Sequence, residues 1–258
     1  MQPKSITSRD NPLLLRLRKL SSDPAAYRKL GEVWLEGEHL CQAFAQHGGT
    51  VPQAIVSVAG WENPALRELL KSAVSVAIIP AALMAGLSTL ESPAAIAFAV
   101  PWAGAGVLRP EAPSVVLDRV QDAGNVGTVL RSAAAFGFSQ VIALKGTAAL
   151  WSPKVLRAGM GAHFGLHLVE AVEPDALEAL TVPMLATSSH AALAIDELPL
   201  PWPCAWLMGH EGQGLSAALL ARCAQSLRIP QPGGEESLNV AAAAAICLYE
   251  SVRQRGVR

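Results

Sequence analysis

The sequence lacks several features that assign proteins to a class at once. Charged residues make up only 16% of its 258 residues and the formal net charge is −1, so no chain-wide positive field attracts nucleic acid. Four cysteines are present, but none forms a C-x-x-C pair and no histidine stands at zinc-finger spacing. These absences exclude a zinc-finger protein and predict reduced, mostly buried thiols and no metal site.

Long hydrophobic runs are missing as well, although 51% of the residues are hydrophobic. The two uncharged stretches, residues 72–90 and 92–108, barely reach the length of a membrane span, and both are interrupted by Pro, Gly or Ser. The opening segment MQPKSITSRD is polar and has no apolar signal-peptide core. We therefore expect a cytoplasmic protein with a sizeable buried core and no membrane partner.

The predicted secondary structure divides the chain into two parts. Residues 1–106 combine short strands and helices in a small α/β unit, and residues 101–113, rich in Pro, Gly and Ala, form the best boundary. In residues 113–258 strands alternate with helices, which favours a largely parallel sheet with helices on both faces. Near the start, Asn11 and Pro12 are typical of a helix N-terminus. The predicted apolar side of that helix carries leucines at helical spacing, namely Leu13, Leu17 and Leu20.

Basic residues cluster locally in spite of the neutral total. Residues 1–30 contain seven Lys or Arg and two Asp, and a second group lies on the helix predicted for the segment SPKVLRAGMGAHFG. The candidate RNA contacts in these two groups are Arg9, Arg16, Arg18, Lys19, Lys154 and Arg157. A solvated helix surface is the alternative interpretation for both groups.

Three loops carry the side chains that chemistry requires, and each follows a predicted strand, where parallel sheets bind ligands. They are NVGTVLR with Asn125 and Arg131, GHEGQGLS with Glu211, and IPQPGGEESLNVA with Ser237 and Asn239. Taken singly, they are explained by a strand–turn–helix junction, a solvated carboxylate and a helix cap. None contains the G-x-G-x-x-G or G-K-[ST] pattern that a nucleotide-dependent α/β enzyme would need.

In this order and spacing, the three segments resemble the motifs of the SpoU (TrmH-type) family of RNA ribose methyltransferases in the SPOUT superfamily. The family patterns N-x-G-x-x-x-R, G-x-E-x-x-G-L-S and S-L-N-V are all matched. The resemblance covers residues 113–258 well and the N-terminal part more loosely. Two departures are Ala241, where the family often has Ser, and Gln231-Pro232 in place of Met-x.

The resemblance implies an architecture. Residues 113–258 would form a SPOUT domain with a deep trefoil knot, and residues 1–106 a ribosomal-protein-like α/β domain that binds the RNA substrate. S-adenosylmethionine would bind in the knotted loops without a metal ion, and the chain would form a homodimer through the C-terminal domain. The implied cofactor-binding residues are Thr187, Gly209, Ile229 and Leu238. The implied catalytic residues are Arg131, Asn125, Glu211, Ser237 and Asn239.

The implied function is S-adenosylmethionine-dependent methylation of a ribose 2′-hydroxyl in structured RNA, with ribosomal RNA favoured over transfer RNA. The alternative is a non-catalytic RNA-binding or ribosome-assembly protein that retains the fold. Family proposals make Arg131 the base. Because a guanidinium stays protonated, we favour Arg131 as a cation that holds phosphate and stabilises the developing alkoxide. Glu211 is expected to order a loop rather than to accept the proton.

Overall fold

The computed structural model describes residues 3–233 and 237–256, which form two compact units. Unit 1 contains the residues up to Gly104 together with Trp151–Phe164, and unit 2 contains Ala105–Leu150 and the residues from Gly165 onward. The chain thus returns to unit 1 after entering unit 2. The sequence indicates a helix near residue 153 but gives no sign that this helix belongs to the first unit. No helix among the described residues is both long and apolar enough to cross a bilayer.

Unit 1 is built on a mixed five-stranded sheet in the order β1-β4-β3-β5-β2. Strand β5 is antiparallel to both β2 and β3, whereas β4 is parallel to β1 and β3. Its strands are β1 (Lys4–Ser5), β2 (Glu32–Glu36), β3 (Val51–Ser57), β4 (Ala73–Ile79) and β5 (Ile96–Pro101). Its helices are α1 (Pro12–Ser22), α2 (Ala26–Leu30), α3 (Glu38–Gln46), α4 (Val58–Trp61), α5 (Pro64–Leu70), α6 (Ala81–Ala85) and α8 (Pro153–Gly159).

Helix α1 begins as its sequence predicts. The Asn11 side chain accepts a hydrogen bond from the Leu13 amide at 3.0 Å, and proline occupies the first helical turn. Its inward face differs by one residue from the prediction, because Leu14, rather than Leu13, is buried with Leu17 and Leu20. The basic residues of the helix therefore remain on its outer side.

The Trp151–Phe164 segment is held in unit 1 by aromatic and polar contacts. The Phe164 ring meets the Phe44 ring edge-on at 5.3 Å between centroids. The Arg157 guanidinium of α8 lies 3.9 Å from the Glu36 carboxylate, which is 3% exposed and also accepts a hydrogen bond from the Ser88 hydroxyl. The segment is thus an integral part of the packing of unit 1.

Unit 2 is built on a seven-stranded sheet in the order β10-β12-β9-β11-β6-β7-β8, and every pair of neighbours is parallel. Its strands are β6 (Ser114–Leu117), β7 (Gln140–Leu144), β8 (His167–Val172), β9 (Met184–Thr187), β10 (Leu193–Ala194), β11 (Ala205–Met208) and β12 (Gln225–Arg228). Its helices are α7 (Ala123–Ala135), α9 (Ala217–Leu220) and α10 (Val240–Gln254). The predicted parallel α/β architecture of this part is confirmed.

Two helical segments of unit 2 are short. The segment Pro174–Ala179 is a 3-10 helix rather than an α-helix, and α9 is a single turn. Helix α10 packs on α7 and on β11, where the Trp206 indole donates a hydrogen bond of 2.9 Å to the Ser251 hydroxyl. The Phe136 and Tyr249 rings also meet edge-on.

Candidate active site

The site lies where four adjacent parallel strands end. In the sheet order, β12, β9, β11 and β6 are neighbours, so the loops that follow them share one edge. These loops begin at Ile229, Ser188, Gly209 and Asp118, and Thr187 is the last residue of β9. The parallel topology therefore brings together segments that are more than 100 residues apart in sequence.

The Glu211 carboxylate joins the second of the three motif loops to the first. One of its oxygens accepts hydrogen bonds from the Asp122 amide and the Asn125 side-chain amide, both at 3.1 Å. The other accepts one from the Gln121 amide at 3.3 Å. Both oxygens of Glu211 are thus engaged by donors from the first motif loop, so the carboxylate connects the two loops.

Asn125 in turn reaches the third loop. Its side-chain oxygen accepts a hydrogen bond of 2.9 Å from the Asn239 amide nitrogen. The Asn239 oxygen accepts from the backbone amides of Ala241 and Ala242 at 2.9 and 3.2 Å, so that side chain caps α10. The contacts Glu211–Asn125–Asn239 link all three motif loops in one row of polar side chains.

The charge of Glu211 is fixed by this row. Desolvation raises the pKa of the carboxyl, but hydrogen bonds from Asn125 and from the backbone amides around it outweigh that effect. The net pKa lies below the ordinary value of 4.5. Glu211 is therefore an anion at neutral pH and a weak base.

Arg131 lies on the same helix as Asn125 but on its exposed stripe, together with Thr128 and Ala135. Within the part of the chain that the structure describes, its guanidinium makes no side-chain hydrogen bond or ion pair. Among the described residues, none therefore competes with an external ligand for its donors.

The second motif requires glycine at position 209 for steric reasons. A Cβ atom there would lie 2.3 Å from the Gly214 carbonyl carbon and 2.4 Å from the Leu215 nitrogen. The turn is closed by reciprocal backbone hydrogen bonds between His210 and Gly214 at 3.1 and 2.8 Å. The side-chain direction of Gly209 is thus filled by the loop's own backbone, and glycine is needed for the loop to pack so closely on itself.

In the third motif, Ser237 is not the helix cap, which was the alternative interpretation of its place in the sequence. The cap is Asn239, and α10 begins at Val240. Ser237 and Leu238 precede the helix with exposed side chains, and Leu238 is 39% exposed. The Pro-Gly-Gly bend before them lies partly outside the described residues, because Gly234 is not described.

Residues 112–249 match the SpoU rRNA Methylase family. The chain belongs to this family. Its membership confirms the expected enzyme class, an S-adenosylmethionine-dependent RNA 2′-O-ribose methyltransferase, and S-adenosylmethionine as its cofactor.

Relatives of the SpoU family resemble the chain over nearly its whole length. The 23S rRNA (guanosine(2553)-2′-O)-methyltransferase RlmP of Bacillus subtilis is 31% identical, with 95% of this chain and 98% of that protein covered. A 23S rRNA (uridine(2479)-2′-O)-methyltransferase of Streptomyces viridochromogenes is 28% identical over 98% of this chain and 93% of that protein. The solved structure of the SpoU methyltransferase AviRb from S. viridochromogenes with its cofactor AdoMet has a TM-score of 0.85 and 26% identity, and the match covers 95% of this chain and 98% of that one.

Three residues around the candidate site of this SpoU protein were not identified from the sequence patterns. Asp122 caps α7 by accepting a hydrogen bond of 2.8 Å from the Asn125 amide. Asp118 and Arg119 form a two-point ion pair directly after β6, with both N–O distances at 3.0 Å. The available signal was the placement of two aspartates in the first loop after a buried strand.

The predicted RNA-contact residues all lie in unit 1, because Trp151–Phe164 belongs to it. Arg9, Lys19 and Lys154 are exposed. The remaining three already have partners: Arg16 with Glu32 at 3.3 Å, Arg18 with the Gly86 carbonyl at 3.4 Å, and Arg157 with Glu36. Arg157 therefore serves packing within unit 1 as the structure stands.

The cysteines have the properties expected of structural thiols. Burial raises the pKa of Cys204 to about 12 and that of Cys223 to about 11, so both stay protonated at neutral pH. Cys41 and Cys247 are fully buried. Over residues 3–233 and 237–256, no group of three or more His, Cys, Asp or Glu side chains is arranged to hold a metal ion.

Proposed function

We propose that this enzyme methylates a ribose 2′-hydroxyl of ribosomal RNA at the edge formed by the ends of β6, β9, β11 and β12. The observation that carries the proposal is the Glu211–Asn125–Asn239 row, which joins the three motif loops. Arg131 lies on the same helix as Asn125 and has no side-chain partner among the described residues. The names of the full-length relatives, which specify 23S rRNA, support ribosomal over transfer RNA.

The proposed cofactor site comprises the backbone of Gly209 and the residues Thr187, Ile229 and Leu238. Thr187 ends β9, and Gly209 and Ile229 follow the neighbouring strands β11 and β12. The exposed Leu238 side chain can cover an apolar ligand surface. The close packing of Gly209 on Gly214 and Leu215 holds the main chain of this loop, which is proposed to bind the ligand, in a defined shape. When bound, S-adenosylmethionine supplies an electrophilic methyl group on its sulfonium.

Arg131 carries the main catalytic role in this proposal. Its guanidinium remains protonated, donates hydrogen bonds to the RNA phosphate, and stabilises the negative charge that develops on the 2′-oxygen as the hydroxyl proton leaves to solvent water. The Asn125–Asn239 hydrogen bond connects α7, which carries Arg131, to the start of α10, which Ser237 precedes. In this way the two asparagines position Arg131 and Ser237 for the ribose. Glu211 holds the loops and does not take the proton, since its oxygens accept three hydrogen bonds.

Unit 1 serves as the RNA-binding domain in this proposal. Arg9, Lys19 and Lys154 are its best candidates for phosphate contacts because they are exposed. Each such cationic contact strengthens RNA binding without contributing to sequence specificity. Arg16, Arg18 and Arg157 would contribute only by exchanging their present partners for phosphate.

A second copy of the chain is proposed to cover the outer face of α10. Ile246 and Tyr249 are 38% and 53% exposed there, and they follow Ala242 at the spacing of one helix face. A homodimer would bury this apolar strip. On the basis of family membership, we also propose that residues 113–258 contain a trefoil knot and that the protein is cytoplasmic.

The decisive experiment uses radiolabelled S-adenosylmethionine and ribosomal RNA from a strain that lacks this gene. Arg131→Ala is expected to lower kcat by about 100-fold or more while calorimetric cofactor affinity is unchanged. Arg131→Lys with substantial turnover and an unshifted pH profile would support the electrostatic role. Unchanged turnover in Arg131→Ala would contradict the proposal, and a folded wild-type protein that binds no cofactor would favour the non-catalytic alternative.

A further inference from the structure

A partly buried ion pair lies next to the second motif loop without belonging to any of the three motifs. Asp118 and Arg119 follow β6 directly, and the Asp118 side chain is only 5% exposed. The guanidinium donates through Nε and Nη2 to the two carboxylate oxygens, both at 3.0 Å. This two-point geometry fixes the plane of the guanidinium.

The pair also contacts the second motif loop at three points. Arg119 Nη1 donates to the Gln213 side-chain oxygen at 3.1 Å, and Nη2 lies 3.5 Å from the Gly214 carbonyl oxygen. The Asp118 carboxylate accepts from the Ser216 amide at 3.4 Å. One side of the loop is therefore fastened to the end of β6, whereas Glu211 fastens the other side to the start of α7.

The backbone around Arg119 is adapted to this arrangement. Arg119 adopts a φ of 57°, a region that non-glycine residues seldom occupy. Opposite it, Gly146 leaves room for the side chain, since a Cβ at position 146 would lie 3.0 Å from Arg119 Cγ. The conformation and the neighbouring glycine together direct the guanidinium towards the loop.

Gly214 connects the pair to the cofactor site. Its carbonyl oxygen accepts from the His210 amide and lies beside Arg119, and its carbonyl carbon is the atom that a Cβ at Gly209 would strike. Because Gly214 packs directly on Gly209, any shift of Gly214 would also shift the Gly209 backbone, to which the proposed function assigns S-adenosylmethionine binding.

We propose that Asp118 and Arg119 are positioning residues that hold residues 209–216 in the shape required for cofactor binding. The inference rests on the proposed role of Gly209. The pair contacts neither Arg131 nor the RNA-binding residues of unit 1 among the described contacts. Its loss should therefore weaken cofactor affinity much more than RNA affinity or the maximal rate.

The test compares Arg119→Met and Gln213→Ala with Arg222→Met as a matched control. Arg222 is a partly buried arginine of unit 2 whose partners, Asp175, Glu178 and the Pro174 carbonyl, lie outside the loop. Calorimetry should show a Kd for S-adenosylmethionine raised about tenfold in Arg119→Met and about threefold in Gln213→Ala. In both variants the KM for RNA and kcat at saturating cofactor should stay within twofold of the wild type.

Arg222→Met is expected to lower the Tm without changing the cofactor Kd. The inference is overturned if Arg119→Met leaves the Kd within twofold of the wild type, or if Arg222→Met raises it as much. Failure of the underlying proposal has a different signature, because a wild-type protein that binds no S-adenosylmethionine would refute the cofactor site itself.

Discussion

At the scale of single residues, the Asn125 side chain is hydrogen-bonded at both its nitrogen and its oxygen. It donates to Glu211 and accepts from Asn239, so each end of its amide has a defined partner. Only an amide can satisfy both, since a carboxylate lacks the donor and a hydroxyl is too short to bridge the two.

The substitution Asn125→Asp tests this constraint. It places a second carboxylate against Glu211 and removes a donor, so we expect kcat/KM to fall by about 100-fold through misplacement of the loops. The measurement is steady-state methylation of ribosomal RNA. The matched control is Asn63→Asp, because Asn63 caps α5 in unit 1 and aspartate caps equally well. Equal activity of the two variants would contradict the role given to Asn125.

A pH dependence follows from Glu211. Its pKa is lowered in the folded protein, so its contribution to loop order is fully present above the ordinary value of 4.5 and is lost as the pH falls through the folded pKa. Between pH 7 and pH 3, the cofactor affinity of the wild type should weaken at the acid end. Glu211→Gln should bind more weakly at pH 7 and show less change with acid. If Glu211→Gln lost cofactor affinity with acid as strongly as the wild type does, another group would be responsible for the pH dependence.

The sequence allowed the motif residues to be grouped but did not reveal their partners. Asn125, Glu211 and Asn239 stand in recognisable patterns, whereas Asp118 and Arg119 do not. Arg119 acts through a left-handed backbone conformation and a glycine at position 146, which arise from tertiary packing rather than from local periodicity. Such contacts become visible only when the loop after β6 meets the loop after β11.

At the scale of elements, Asn239 has two roles that substitutions can separate. It caps α10 through its oxygen and binds Asn125 through its nitrogen. Asn239→Asp should keep stability close to the wild type and lose most activity, because only the cap survives. Asn239→Ala should lose both, with a decrease of about 1 kcal/mol in the free energy of unfolding. Urea denaturation and turnover measure the two effects, and a fully active Asn239→Asp would refute the separation.

Helices were predicted well where capping and periodicity agree, and less well elsewhere. Asn11, Pro12 and the leucines identify α1, but Leu13 and Leu14 are adjacent, and only tertiary packing decides which one is buried. The segment Pro174–Ala179 has helix-forming residues, yet its six residues form 3-10 geometry. Short elements are set by their connections more than by propensity.

At the scale of the whole molecule, the parallel sheet of unit 2 was predictable because strands and helices alternate in the sequence.

The proposed homodimer adds a testable feature. Tyr249→Glu places a charge in the proposed interface, so sedimentation should show monomers where the wild type forms dimers. Val74→Glu is the control, since Val74 is 70% exposed in unit 1 and outside that face. Dimers of Tyr249→Glu as stable as those of the wild type would exclude this interface.

The return of Trp151–Phe164 to unit 1 has a consequence for how the protein can be taken apart. The chain passes between the units three times, so no single cut separates them into complete halves. A fragment that ends at residue 106 would leave Phe44 without its aromatic neighbour and the buried Glu36 without its cation. In chimeras with relatives, the N-terminal domain is therefore not a transplantable cassette unless residues 151–164 are exchanged with it.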